Sequence, residues 1–411
     1  MTPTLTGLRR RARRAAESAD LIYLVCPAGF PNYGDELIAQ AWLRHLARHR
    51  PLATVVVDCP RPGAAALMLR RANRRAVFVN TLWELTGYAH GADRDGIDPQ
   101  APWEWVAQAA SRFGPAPREG HGVDMLLRAR TLHLLGGGYV NAVWPQHVSL
   151  VAALAAVART TGARAAATGQ GLLPAVTGGA AQRLSDDLRG FDIVDVRDQP
   201  SHDLIADQPG ASFSGDDAWL SPAIDPERPA VAPSGRVVLC AQSDLTDDFE
   251  HGGLRGAGAL AGYLTEVLDH WRVPGDRVIV IEAIPGLDMV VPGLMGERLS
   301  GAQRLSFLDV WENGLPLRGG HTWLSTRFHP HLVAAAAGEP GVAVVPKPDY
   351  YGTKHASLRA LGSDWPIVAG GDLVPDRPPA DGGFTADAVT SARRRKRALA
   401  DRLYPRGVRL R

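Results

Sequence analysis

Short apolar runs recur along the chain, each closed by glycine or a polar group, and stretches with hydrophobic residues at helical spacing lie between them. Leu21–Cys26 is the first such run and predicts a strand buried on both faces, as parallel sheets require. The loop Pro27–Gly34 follows. Asp35 and Glu36 then open an amphipathic helix with Leu37, Ile38, Trp42 and Leu46 on one side. Further strands are predicted at Ala53–Val57, Thr131–Leu135, Ala163–Thr168 and Phe191–Val196, with a helix over 146–161. In the second half the pattern predicts strands at Arg236–Ala241, Asp276–Glu282, Gln303–Phe307, His321–Thr326 and Gly341–Val345. Helices are expected over about 260–271, 332–337, 356–361 and 386–403. Strands alternating with helices predict βαβ units and parallel sheets. Only Val77–Leu127 breaks the rhythm. There Trp83, Trp103 and Trp105 stand among Gly, Pro and Asp, which predicts an irregular excursion over a cleft, its aromatics either local core or substrate platform.

A chain of 411 residues exceeds one ordinary core, so two domains are expected. Gly215–Trp219 and the Pro-rich Ser221–Ser234 suggest the hinge. This predicts a first domain over 1–220 with a Trp-rich insertion at 82–118, a second over 235–370, and a C-terminal loop and basic helix over 371–411. The 45 basic and 43 acidic side chains nearly cancel, leaving +2, too little for a nucleic-acid footprint. Basic clusters at Arg9–Arg14 and Arg393–Arg397 are expected to be solvated. Cys26, Cys59 and Cys240 each end or punctuate an apolar run. With no CxxC pair and no Cys/His ligand spacing, buried reduced thiols are expected and a metal or disulfide framework is not. The longest early apolar run is too short for a signal peptide or span, so a soluble cytoplasmic protein is expected.

Candidate chemistry gathers where strands end. Carboxyl ends of parallel strands share one edge, where ligands sit in open α/β sheets. The first-half strands end in Asn32, Gly34 and Asp35, in Gly136–Gly138, in Gly169-Gln170-Gly171, and in Arg197. In the second half the unit Ser325-Thr-Arg327-Phe-His329-Pro-His331 joins a strand to a helix. There a guanidinium and two imidazoles meet a helix start, a place that favours anions. Each residue also has a plain reading: Asp35 as a helix cap, the glycines as a tight turn, Arg197 as a partner of Asp195 or Asp198. Arg327 is alternatively a surface charge and His329 a satisfied loop histidine. Lys354, near a helix start, would suit an anion or be a lone exposed lysine. Neither GxGxxG nor GK[ST] occurs, so no nucleotide cofactor is supported. Two tandem doubly wound domains facing each other across a cleft are the architecture of GT-B proteins.

In matching order, Asn32-Tyr-Gly34-Asp35-Glu-Leu-Ile38, Leu134-Leu-Gly136-Gly-Gly138, Val196-Arg197-Asp198 with Ser201, Gly215-Asp216, Arg327-Phe-His329 before Gly338-Glu-Pro340, and Tyr351-Gly-Thr-Lys354 resemble the polysaccharide pyruvyl transferase family. The resemblance implies a GT-B-like α/β fold of two Rossmann-like domains. It also implies transfer of pyruvyl from phosphoenolpyruvate to a sugar as a ketal, in exopolysaccharide or cell-wall glycan biosynthesis. By position it implies His329 as general acid, Asp35 as base or hydroxyl orienter, and Arg197 and Arg327 as charge-neutralising groups. Asn32, Gly34, Gly137, Gly138, Gln170, His331 and Lys354 fall to substrate binding, with Lys347 competing for the place of Lys354. No metal and no cofactor is implied. The partners are phosphoenolpyruvate and a sugar or glycan acceptor, polymeric or lipid-linked, with peripheral membrane association through the basic tail compatible with either. The rival readings are a GT-B glycosyltransferase using a nucleotide sugar and a non-catalytic glycan-binding member. Phe328, Pro330 and His331, and a longer spacing from His329 to Lys354, depart from the family pattern.

Overall fold

The computed structural model describes residues 20–91, 96–224 and 234–405, so Arg9–Arg14 and most of the Pro-rich segment lie outside the described residues. The chain divides into two compact units. One holds 20–30, 38–220 and 396–405; the other holds 31–37, 221–224 and 234–395.

The first unit is built on a sheet of β1 (Leu21–Val25), β2 (Thr54–Asp58), β3 (Ala76–Val79), β4 (Thr131–Leu134), β5 (Arg164–Gln170), β6 (Ile193–Val196) and β7 (Ala211–Phe213). Its order is β3-β2-β1-β4-β5-β6-β7, every pair parallel. Leu21–Val25 is buried throughout, as the unbroken apolar run demands. Strand order reverses between β1 and β4, which makes their carboxyl ends the switch point of this unit.

Three expectations are corrected here. Residues 77–127 are mostly regular: β3 is followed by helices Leu82–Ala89, Pro102–Ser111 and Gly120–Arg128. Trp83, Trp103 and Trp105 pack against the apolar core of the first unit, with Pro102 seated in the first turn of its helix. The periodicity is hard to see because short helices and proline starts interrupt it. Second, 216–219 is packed into the first unit, whose boundary with the second falls just after it, between residues 220 and 221. Asp216, Asp217 and Trp219 are buried, and the Asp217 carboxylate accepts from Trp42 Nε1 (2.7 Å), Thr168 Oγ1 (2.6 Å) and the Gly136 N–H (3.0 Å). Third, the basic C-terminal helix Ala386–Leu403 turns cations inward as well as outward. Lys396 is 0% exposed, with its ammonium 2.7 Å from Asp195 and 2.9 Å from Asp217. Two carboxylates around one ammonium give a buried group the compensation it requires.

The second unit repeats the plan. β8 (Val237–Cys240) is followed by a small antiparallel hairpin, β9 (Glu250–His251) and β10 (Leu254–Arg255). Then come β11 (Val278–Ile281), β12 (Gln303–Leu305), β13 (Thr322–Ser325), β14 (Gly341–Val345) and β15 (Ile367–Ala369). The parallel sheet runs β12-β11-β8-β13-β14-β15, so its order reverses between β8 and β13. The helix after β13 is Phe328–Ala336; it starts four residues earlier than its apolar run because Pro330 fits the first turn. Cys26, Cys59 and Cys240 are buried free thiols. No helix among the described residues is long and apolar enough to cross a membrane.

Candidate functional site

β13 delivers Arg327 to the switch point of the second unit. The Ser325 hydroxyl accepts from the Arg327 N–H (3.2 Å) and donates to the Arg327 carbonyl (2.9 Å), which fixes the turn from strand to helix. Arg327 is the N-cap of Phe328–Ala336, in extended conformation, and no side chain caps that helix start. The dipole at that helix start favours a negative charge there.

His329, in the first turn, lies against Gly34. A Cβ built on Gly34 would come within 1.7 Å of His329 Nδ1 and 2.4 Å of Cγ and Cε1. Glycine is needed there for space rather than for backbone freedom, since Gly34 lies inside the helix Tyr33–His49 and is not among the positive-φ glycines. The Asn32 carboxamide accepts from the Gly34 N–H at 3.1 Å, so Asn32 and not Asp35 caps this helix. The Tyr33 N–H donates to the Ala283 carbonyl at 2.9 Å, which ties the helix start to the segment after β11. Asp35 is half-buried in the first turn, whereas its neighbour Glu36 is fully buried. The structure thus brings Asn32, Gly34, Asp35, Arg327 and His329 into one unit.

Arg327 is buried and held by two carboxylates. Nε donates to Asp288 (3.0 Å), Nη2 to Asp288 and Asp244 (2.5 Å each), and Nη1 to Asp244 (3.2 Å). Burial alone would lower its pKa, but Asp288, Tyr351 and Asp244 outweigh burial and raise it. Asp288 is fully buried and also accepts from the Ala283 and Ile284 N–H groups, both at 2.9 Å. Asp244 keeps partial access to solvent. Neither aspartate was singled out by the sequence patterning. Both follow strands of the second sheet, β8 and β11, where the same strand-end rule would have found them.

Tyr351 links the guanidinium to the next element. Its hydroxyl lies 3.4 Å from Arg327 Nη1, and the buried Lys354 ammonium sits 3.2 Å from the centre of the Tyr350 ring and 4.8 Å from that of Tyr351. Lys347 instead pairs on the surface with Asp248 at 2.6 Å. Of the two competing lysines, it is Lys354 that packs on Tyr351, whose hydroxyl meets Arg327. His331 takes no such place. It is fully buried, with one ring nitrogen 2.9 Å from His355 and the other 2.9 Å from the Ser363 hydroxyl, and it stacks on Trp365 at 4.2 Å. Its burial and filled hydrogen bonds make it a packing residue.

In the first unit, Arg197 follows β6 and is buried beside Asp198 (3.5 Å) and Asp216 (3.7 Å). A Cβ on Gly171 would meet its guanidinium at 2.4 Å, so glycine there makes room for it. Gly137 donates to the Gly169 carbonyl (3.3 Å) and accepts from the Gly171 N–H (2.8 Å), knitting the turns after β4 and β5 together. The Asn141 amide donates to the Gly138 carbonyl at 2.9 Å. Gln170 is buried and its amide donates to the Leu135 (2.8 Å) and Thr168 (3.0 Å) carbonyls, which fixes the loop from inside rather than reaching outward.

Comparison with known proteins places the chain by family and by fold. The sequence model of a family described as polysaccharide pyruvyl transferase matches residues 32–281. None of the curated proteins matches the chain. Among solved structures, the UDP co-structure of MnaA from S. aureus is 10% identical, with 94% of this chain and 89% of that chain covered and a TM-score of 0.50. UDP-GlcNAc 2-epimerase from Methanocaldococcus jannaschii, in complex with UDP-GlcNAc and UDP, is 10% identical over 92% of this chain and 98% of that chain, with a TM-score of 0.48. The likeness to MnaA shows the fold alone: two Rossmann-like units of the GT-B type.

Proposed function

The chain belongs to the polysaccharide pyruvyl transferase family, and from that membership we propose that it moves the pyruvyl group of phosphoenolpyruvate onto two hydroxyls of a sugar, forming a ketal and releasing phosphate. The observation that carries the proposal is the grouping in the second unit of Arg327, His329 seated on Gly34, and Lys354 around an uncapped helix start. Phosphoenolpyruvate presents a phosphate and a carboxylate within a few bonds. Guanidinium forks, an ammonium and the positive end of a helix dipole are what such an anion requires.

In this reading His329 gives a proton to the methylene carbon of the donor, which becomes a methyl group. Positive charge grows on the adjacent carbon, and a sugar hydroxyl adds there while Asp35 takes its proton. The carbon–oxygen bond to phosphate then breaks, phosphate leaves with the bonding pair, and the second hydroxyl closes the ketal with loss of its proton. Arg327 is already forked onto Asp244, so donor binding asks the more accessible Asp244 to give way while buried Asp288 holds the guanidinium in place. Lys354 supplies further positive charge. Arg197, with Gly137 and Gly138, keeps the role its place in the family motif implies. His331 and Gln170 are assigned to packing.

We place the reaction in the cytoplasm, on a glycan or lipid-linked sugar of the cell envelope. The exposed Arg394, Arg395 and Arg397 of the C-terminal helix are the face that would meet an anionic membrane, and vesicle binding that weakens with salt tests it. For the main proposal, the protein is incubated with phosphoenolpyruvate and a set of glycan acceptors. Phosphate release with an acceptor mass gain matching a pyruvate ketal is expected, and is lost in His329→Ala while donor binding stays measurable. Turnover with nucleotide sugars and none with phosphoenolpyruvate would replace this reading by glycosyl transfer.

A further inference from the structure

Far along the helix Tyr33–His49 from Gly34, within the first unit, His45 and His49 stand one turn apart with rings stacked at 3.9 Å and 12°. Asp401, on the last turns of Ala386–Leu403, faces them. One donor atom from each of the three lies within 4.8 Å of the other two, the one such group found among the described residues.

Hydrogen bonding constrains what can lie between them. His49 Nδ1 is 3.0 Å from the His45 carbonyl, an acceptor only, so Nδ1 carries a proton and donates it. The opposite nitrogen, Nε2, lies 3.4 Å from an Asp401 carboxylate oxygen. In the neutral ring that places a lone pair against a carboxylate, and only a proton or a metal cation between them makes the contact favourable. A histidine whose Nδ1–H is held by a carbonyl is also the tautomer that presents Nε2 to a metal. On the inner side, the His45 ring is half-buried, with its Nε2 sealed from solvent, and hydrogen-bonds the Ala400 backbone.

We propose that His45, His49 and Asp401 bind a divalent ion of the zinc class, with two imidazoles and one carboxylate as ligands and water in the open position. Imidazole and carboxylate together suit zinc, and three protein ligands plus water is an established coordination number for it. Tetrahedral donors around zinc lie about 3.3 Å apart. The His49–Asp401 pair is already at 3.4 Å, and all three donor atoms lie within 4.8 Å of one another, so binding must draw His45 inward. Asp401 is largely exposed and leaves a path for the ion to enter. The ion would staple the end of the C-terminal helix to the helix Tyr33–His49. Lys396, one and a half turns earlier, is anchored on Asp195 and Asp217 in the core of the same unit. The expectation of no ligand spacing in the sequence missed His45-x-x-x-His49, a spacing that puts both rings on one face of an amphipathic helix.

The test is zinc titration of the full chain, freed of metal by chelator, followed by calorimetry and thermal unfolding. Saturable uptake of one zinc with a rise in Tm is expected. Asp401→Ala, a change at an exposed position, should weaken binding at least tenfold, and His45→Ala/His49→Ala should abolish both the binding and the Tm rise. If the double variant folds poorly, His49→Ala with its fold checked by circular dichroism replaces it. Absence of saturable uptake would mean that a proton alone bridges His49 and Asp401, and would overturn the site. Equal zinc affinity in the histidine variants would overturn it as well, by placing the ion elsewhere.

Discussion

Gly34→Ala tests the placing of His329 most directly. The added Cβ would fall 1.7 Å from His329 Nδ1, whereas ordinary contact begins at 3.4 Å, so the ring must retreat by about 1.7 Å. Proton transfer depends on reach. Misplacing a reacting group by about 1 Å costs on the order of 100-fold in rate. A 100-fold loss in kcat, about 2.7 kcal/mol of barrier, is therefore the least expected if His329 delivers the proton. Stability should fall as well, because the overlap reaches His329 Cγ and not only the far end of its ring; overpacking of about 1–3 kcal/mol outweighs the gain of up to about 1 kcal/mol that alanine brings to a helix. The assay pairs initial rates of phosphate release from phosphoenolpyruvate, at saturating acceptor, with the Tm of the same preparation. A kcat that collapses at a temperature where the variant is still folded, with only a modest fall in Tm, supports the account. A wild-type kcat would show that the position of His329 has no bearing on turnover.

Arg327→Ala should cost fold as well as donor affinity, because it strands Asp288 in the core without its counter-charge; a loss of about 3–5 kcal/mol by denaturant titration is expected. Unchanged stability would mean the carboxylate pair is not what holds Arg327. Lys396→Met should destabilise by a similar about 3–5 kcal/mol, since Asp195 and Asp217 then face each other buried and uncompensated; a fall of less than about 1 kcal/mol would contradict the reading of the C-terminal helix as part of the core. The pH dependence has a defined sign. Burial pushes the His133 imidazole down to about 3, against the pull of Asp217, while an unfolded histidine titrates near 6.5. The unfolded chain then binds a proton that the folded one refuses, so this stability is whole above pH 6.5 and is lost as pH falls toward 3, on the order of 4–5 kcal/mol in all. His133→Gln should flatten that loss between about pH 6.5 and 4 in denaturant titrations, and an unaltered slope would show that His133 is not its source.

Most of the fold was legible because parallel strands buried on both faces leave unbroken apolar runs. Leu21–Val25, Thr131–Leu134 and Gly341–Val345 lie within a residue of where the pattern puts them. What escaped notice lacks that signature. β3 is only partly buried at a sheet edge, β7 has three residues, and the helices at 82–128 are short and broken by proline starts. The Asn32–Asp35 and Arg327–His329 segments could be singled out because each lies at a strand's carboxyl end, although nothing in the spacing said that Gly34 makes room for His329. Partnerships of charge were the hardest to read. Arg327 with Asp244 and Asp288, and Lys396 with Asp195 and Asp217, join residues dozens to hundreds of positions apart, and no local periodicity records such pairs. The run Arg393–Arg397 looked like a solvated face because charge alone does not tell which of its cations turns inward.

The most direct measurement runs the reaction in deuterated water with phosphoenolpyruvate and an acceptor glycan, and examines the product by mass spectrometry and carbon NMR. If the methylene carbon is protonated before ketal closure, the product carries a quaternary ketal carbon and a methyl group with one solvent deuterium, and one phosphate is released per ketal. His329→Ala should show neither product nor phosphate. A product that keeps its methylene carbon, or pyruvyl transfer at an undiminished rate in His329→Ala, would contradict the account.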